Sequence, residues 1–144
     1  AVIISAPLLI FADDPANILK HSAVQVIRQI PSTWDETLVL EPSAIGEVAV
    51  YARRKGDKWF LAAMNGTDAR TIKVDLSFLG KSNYEMTMVR DKVPAETLVA
   101  FARNRLSFGS KSGVLIDKLP ASAFDDNLIV ELLPGGGFVA VFNK

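Results

Sequence analysis

Residues 45–66, IGEVAVYARRKGDKWFLAAMNG, constrain the fold of this chain more than any other stretch. In the first half Val48, Val50 and Ala52 fall on one face of an extended backbone, and Ala49, Tyr51 and Arg53 on the other. A second apolar run, 58–65, follows Lys55-Gly56-Asp57. Two such runs around a short glycine-bearing turn predict a β-hairpin. The hairpin carries no obvious chemistry.

The rest of the chain extends that pattern. Short apolar runs recur at 38–40, 70–76, 84–90, 114–116, 128–133 and 138–142, with a weaker one at 100–108. Gly80, Gly109, Gly113 and the triplet Gly135-Gly136-Gly137 punctuate them. Strands at about ten-residue spacing, separated by turn signals, predict a two-sheet sandwich or a barrel. The opening residues have a different texture. PLLIFA, 7–12, is continuously apolar, like a strand buried on both faces of a parallel sheet. Asp13-Asp14-Pro15 then places a capping carboxylate ahead of a proline at the first helical position. Ile18, Leu19, Ser22, Ala23, Val26, Ile27 and Ile30 recur at helical spacing, predicting a helix over 15–30 closed by Pro31. Strand, corner and helix together make one repeat of a (β/α)8 barrel. The two textures meet near 31–42.

With 144 residues the chain has room for one domain with a core, or one domain and a fragment of another. Lys and Arg total 16, as do Asp and Glu, so no basic excess is available for nucleic-acid phosphates. The absence of cysteine rules out disulfides, thiolate metal sites and thiol nucleophiles. The apolar opening has no basic flank and ends at Asp13-Asp14. It is too short for a signal peptide or a membrane span. So apolar a start, without a methionine, is expected inside a longer chain.

Several residue groups invite a chemical reading. Asp35-Glu36 is a carboxylate pair of the kind glycosidases need, yet adjacent strand residues point to opposite sides. Local bonding to backbone amides is the preferred account. Asp13-Asp14 follows a barrel-type strand, where catalytic groups cluster, but the proline after it favours helix capping. His21 is the only histidine and lacks a second ligand at metal spacing. Gly135-Gly136-Gly137 lies between two strand-like flanks, so a tight hairpin is preferred over a phosphate loop. Trp34, Tyr51, Trp59, Phe60 and Tyr84 could stack on sugars, although Trp59 sits mid-strand where core packing is the default. Arg53-Arg54-Lys55 reads as a solvated strand end.

Four motifs in order, PSTWDET at 31–37, the hairpin itself, DLSFLG at 75–80 and LPGGGF at 133–138, resemble the C-terminal part of glycoside hydrolase family 97. These are bacterial α-glucosidases and α-galactosidases. SAPLLIFADDPAN at 5–17 is similar to that family's Ser-Pro-Leu-Gln…Ala-Asp-x-Pro segment, and to the last-strand segment of other α-galactosidase barrels. Ala6 intervenes before the proline, and Leu9 stands where glutamine is usual. The likeness runs to about residue 90; residues 93–127 add almost nothing to it. It implies an N-terminal β-sandwich, a (β/α)8 barrel and a C-terminal β domain. Inverting members use glutamates around calcium and retaining members an aspartate nucleophile, on earlier barrel strands with no counterpart here. No catalytic, cofactor or metal residue is therefore assigned to this chain, and calcium belongs to the parent only.

The resulting expectation is a mainly β fold. Residues 1–30 would be the last strand and helix of a barrel, 31–45 a crossover, and 46–144 a C-terminal β-sandwich with Greek-key connections. The chain would be an inactive piece of a periplasmic or secreted α-glycosidase, supporting the catalytic barrel of the same chain. Neither nucleic acid nor membrane is an expected partner, and apolar surface on the detached barrel piece would favour self-association. A carbohydrate-binding module for oligo- or polysaccharide is the alternative, and an immunoglobulin-like adhesion module a third. Cleavage of glucosides or galactosides, with inversion or retention, stays open.

Overall fold

The computed structural model describes residues 1–4, 14–92, 114–124 and 126–144. The expected strand at 7–12, Asp13 and the weak run at 100–108 lie outside them.

The fold is a two-sheet antiparallel sandwich. The larger sheet contains β1 (Glu36–Val39), β2 (Val48–Lys55), β3 (Lys58–Asn65), β5 (Glu85–Asp91), β6 (Val114–Pro120) and β8 (Gly137–Asn143), in the order β1-β2-β3-β8-β5-β6. The smaller pairs β4 (Arg70–Asp75) with β7 (Asn127–Leu132). The chain changes sheet at β3–β4, β4–β5, β6–β7 and β7–β8, so strand order interleaves and β8 lies between β3 and β5.

The hairpin forms as its pattern predicts. Lys55 pairs with Lys58 around a two-residue turn that opens on Gly56 at φ 58°, the position a type II′ turn reserves for glycine. Alternation then sorts the side chains. Val50, Ala52, Leu61, Met86, Ala140 and Phe142 face the smaller sheet and meet Ile72, Val74, Leu128 and Val130 in the main core. β3 and β8 are apolar at nearly every position because their outer face is covered as well. There Phe60, Ala62 and Val141 pack against Val2 and Val26, with Ile3, Ile30 and Trp34 around them. The described part of 1–30 thus forms a cover over the outer face of the larger sheet.

Three elements differ from expectation. The single helix over 15–30 is broken into α1 (Pro15–Lys20) and α2 (Val24–Ile27). The break falls at His21, whose backbone is extended at ψ 139° and whose Nδ1 accepts from the Ala23 N–H at 3.1 Å. A side chain that takes a backbone donor offers the chain an alternative to the helix, and β-branched Val24, Val26 and Ile27 resist that alternative weakly. Glu36–Val39, within the stretch read as a crossover, pairs with β2 as the sheet's edge strand. β6 runs through Asp117 and Lys118 to Pro120, well past 116.

Candidate functional site

The four sequence motifs meet around β3 and β8. Trp34 of PSTWDET stands edge-on to Phe60, with ring centroids 5.1 Å apart, and the Arg53 guanidinium lies 5.4 Å from the Trp34 ring. Asp35 and Glu36 close the hairpin. The two Asp35 carboxylate oxygens accept from Lys55 Nζ and the Gly56 N–H, each at 2.8 Å. Glu36 pairs with Arg54 at 3.0 Å. The hydrogen bond from Lys55, followed by that from Gly56, holds the Asp35 carboxyl below its ordinary value of 3.8. A carboxylate kept ionised and doubly engaged is a turn clamp, with no free oxygen turned to a substrate.

DLSFLG turns the chain out of β4. Asp75 Oδ1 accepts from the Ser77 N–H at 2.7 Å and starts a short 3-10 helix, Ser77–Leu79. Its Phe78 packs 4.9 Å from the ring of Trp59 and 6.2 Å from that of Phe142. The glycine triplet is locked to the end of the hairpin. The Gly135 N–H donates to Gly66 O at 2.6 Å, and Asn65 N–H to Gly136 O at 2.8 Å. Asn65 Nδ2 reaches Leu133 O, also at 2.8 Å. Gly137 N–H donates to Asp91 Oδ2 at 2.7 Å. A Cβ at Gly136 would lie 2.5 Å from that same carboxylate oxygen, and one at Gly137 would collide with Ala63 O. A carboxylate against this loop repels phosphate, so the triplet is a packed connection between β7 and β8.

The remaining candidates fall to structural roles. Asp14 caps α1, with Oδ1 accepting from Ala16 N–H at 2.8 Å. His21 ends the same helix. The five aromatics do not share one exposed surface. Trp59 and Tyr84 are buried in the main core, and Phe60 is buried on the opposite face beneath Trp34. Neighbours on a strand point to opposite sides, so Trp59 and Phe60 were never able to share a surface. Of Arg53-Arg54-Lys55, read as solvated, Arg53 is buried between the Trp34 and Tyr51 rings. Among the described residues there is no group of three or more His, Cys, Asp or Glu placed to hold a metal ion.

What stays open is surface. The outer face of the larger sheet has an apolar row, Val39, Tyr51, Ala62, Val139, Val89 and Ile116, paired strand to strand. Its middle is covered, while Val39 at the β1 edge is exposed. Ile45 and Met64 are exposed beside it.

A family model described as "Glycosyl-hydrolase 97 C-terminal, oligomerisation" matches residues 33–143. The chain belongs to this family. The family 97 domain is 36% identical over 138 residues to a retaining alpha-galactosidase of Bacteroides thetaiotaomicron, a match covering 95% of this chain and 19% of that protein. Its fold is similar to that of a glycoside hydrolase family 97 enzyme from Pseudoalteromonas sp. strain K8 in complex with acarbose. There the TM-score is 0.71 at 29% identity, over 91% of this chain and 19% of that one. A beta-arabinopyranosidase structure is similar at TM-score 0.67 and 26% identity, over 96% and 19% of the two chains. The family 97 domain therefore spans only 19% of the length of each of these relatives.

Proposed function

We propose that this chain is the non-catalytic support and assembly domain of a family 97 α-glycosidase. In this reading it packs against the catalytic barrel of its own chain and contributes to self-association of the enzyme. One observation carries the proposal: each motif that carries the likeness is closed on the domain's own strands. Asp35, Glu36, Asp75 and Asp91 all hold hairpin, turn or loop geometry. Glycoside hydrolysis instead needs two carboxyls across an open sugar site. The packing role rests on the likeness to enzymes of which this chain spans 19%, and the assembly role on the description of the matching family. A periplasmic or secreted setting belongs to the same proposal and rests on the resemblance.

The test is turnover. This chain alone, assayed on nitrophenyl α-glucoside and α-galactoside, is expected to give none, while the full-length protein cleaves one of them. Robust hydrolysis by the chain alone would overturn the proposal. Deleting residues 46–144 from the full-length protein is expected to lower its thermal stability and its native mass together.

A further inference from the structure

The exposed corner of the larger sheet has the features of a two-fold contact. Residues 44–47 form a turn in which the Glu47 N–H donates to Ala44 O at 3.0 Å, with Gly46 at φ 81°. This is the geometry of a type II turn, with glycine at the second central position. Ile45 takes the first central position and is fully exposed. Turn tips of this kind are ordinarily polar, proline or glycine. An isoleucine there gives up solvent-exposed apolar area for no gain within the domain.

The turn is rigid. Ala44 and Val48 exchange backbone hydrogen bonds at 2.8 and 3.0 Å, Ser43 Oγ accepts from the Val50 N–H at 2.9 Å, and Gly66 N–H donates to Glu47 O at 2.6 Å. Ile45 is therefore presented in a fixed position, which reduces the ordering cost of any contact it makes. Ile45 forms one wall of a groove of about 410 Å³ whose apolar lining includes Val39, Tyr51 and Met64, with Ser43, Glu47 and Asn65 at its polar margin. Val39 is 62% exposed and Met64 44%.

A projecting apolar side chain next to an apolar groove is self-complementary. A two-fold rotation would seat the Ile45 of each copy in the groove of the other, as an isologous interface requires. We propose that this corner is an interface between two copies of this chain, with Ile45 as its central anchor. The inference rests on the assembly reading above and names its surface. The occupant is a second copy for two reasons. The patch carries both a knob and a groove, so a copy of itself supplies the complement of each. The match to the oligomerisation family also begins at residue 33, so it contains this corner and excludes the layer formed by residues 1–30.

The test is sedimentation equilibrium across a concentration series, on this chain and on the full-length protein that carries it. Ile45→Asp is expected to weaken self-association about 10- to 100-fold, from the apolar burial of one large side chain. Met64→Lys should act in the same direction, and both should leave thermal unfolding of this chain unchanged. Ile129→Asp, at a 52% exposed position on the smaller sheet, is the control and should leave the mass unaltered. A wild type that self-associates, with both corner variants unchanged, overturns the location and leaves the assembly reading standing. A wild type that is monomeric at every concentration overturns both. An Ile45→Asp full-length protein of unchanged mass but lowered melting temperature assigns the corner to the chain's own catalytic part and also overturns the proposal.

Discussion

Replacing Asp117 by leucine should cost this domain a large share of its stability, and replacing Arg90 along with it should restore most of the loss. Asp117 on β6 lies opposite Met88 in the register, and Arg90 lies opposite Leu115, so the two charges meet diagonally on the core-facing side. Arg90 Nε and Asp117 Oδ2 are 2.8 Å apart, with the side chains only 8% and 3% exposed. Removing one member of a buried pair strands the other charge in a dry environment, at about 3–5 kcal/mol. A domain of this size has about 5–15 kcal/mol in total. At about 2–4 °C per kcal/mol, the melting temperature should fall by about 10 °C. The Arg90→Met, Asp117→Leu double variant strands neither charge and should be near wild type, or more stable by up to about 4 kcal/mol. Urea denaturation of wild type, both single variants and the double variant completes the cycle. A loss below about 1 kcal/mol for Asp117→Leu, or a double variant as unstable as the single one, would refute the claim that charge burial sets the cost.

Gly137→Ala should reduce soluble yield and cost about 1–3 kcal/mol or more, because the new methyl meets Ala63 O where the β3–β8 ladder begins. Trp34→Ala should lower stability by about 2–3 kcal/mol in the same urea assay, through lost packing on Phe60 and Arg53. Asp35→Asn tests the turn clamp through pH. The Asp35 carboxyl is held below 3.8 in the folded chain, so its contribution is complete above the unfolded value and is lost as pH falls through the folded one. Melting curves of wild type and Asp35→Asn should differ by a constant amount near neutral pH and converge in acid. A gap that persists unchanged at acid pH would show that the clamp does not depend on ionisation.

The strands were legible because period-two alternation and glycine turns are local signals. β2 and β3 come directly from them, whereas the cover on both faces of β3 and β8 emerges only from the structure. The family likeness was legible too, since its motifs are contiguous strings. What escaped is non-local or depends on competition. His21 looks like one more helical residue until its ring accepts the Ala23 N–H. The end of β6 is hidden by Asp117 and Lys118, whose charges argue against a strand unless a buried arginine waits across the ladder. Ile45 reads as the end of the crossover, and only the turn beneath it reveals a projecting side chain. The aromatics misled for the opposite reason: their number suggested a surface, while strand parity divides them between two interiors.

The position of β8 has a consequence for how the domain is made. The last strand of the chain is hydrogen-bonded on both sides, to β3 and to β5. Until residues 137–143 emerge during synthesis, β3 and β5 have no neighbour on those sides, and Phe60, Leu61 and Met86 have no Phe142 or Val141 beside them. The six-stranded sheet therefore cannot close progressively behind the ribosome; it closes in one late event. A transcript truncated just ahead of Gly137 would yield two long apolar strand edges in place of a slightly shortened domain. Such edges template pairing between chains. Loss of residues 137–143 should accordingly produce aggregates, because it removes a strand from the centre of the fold.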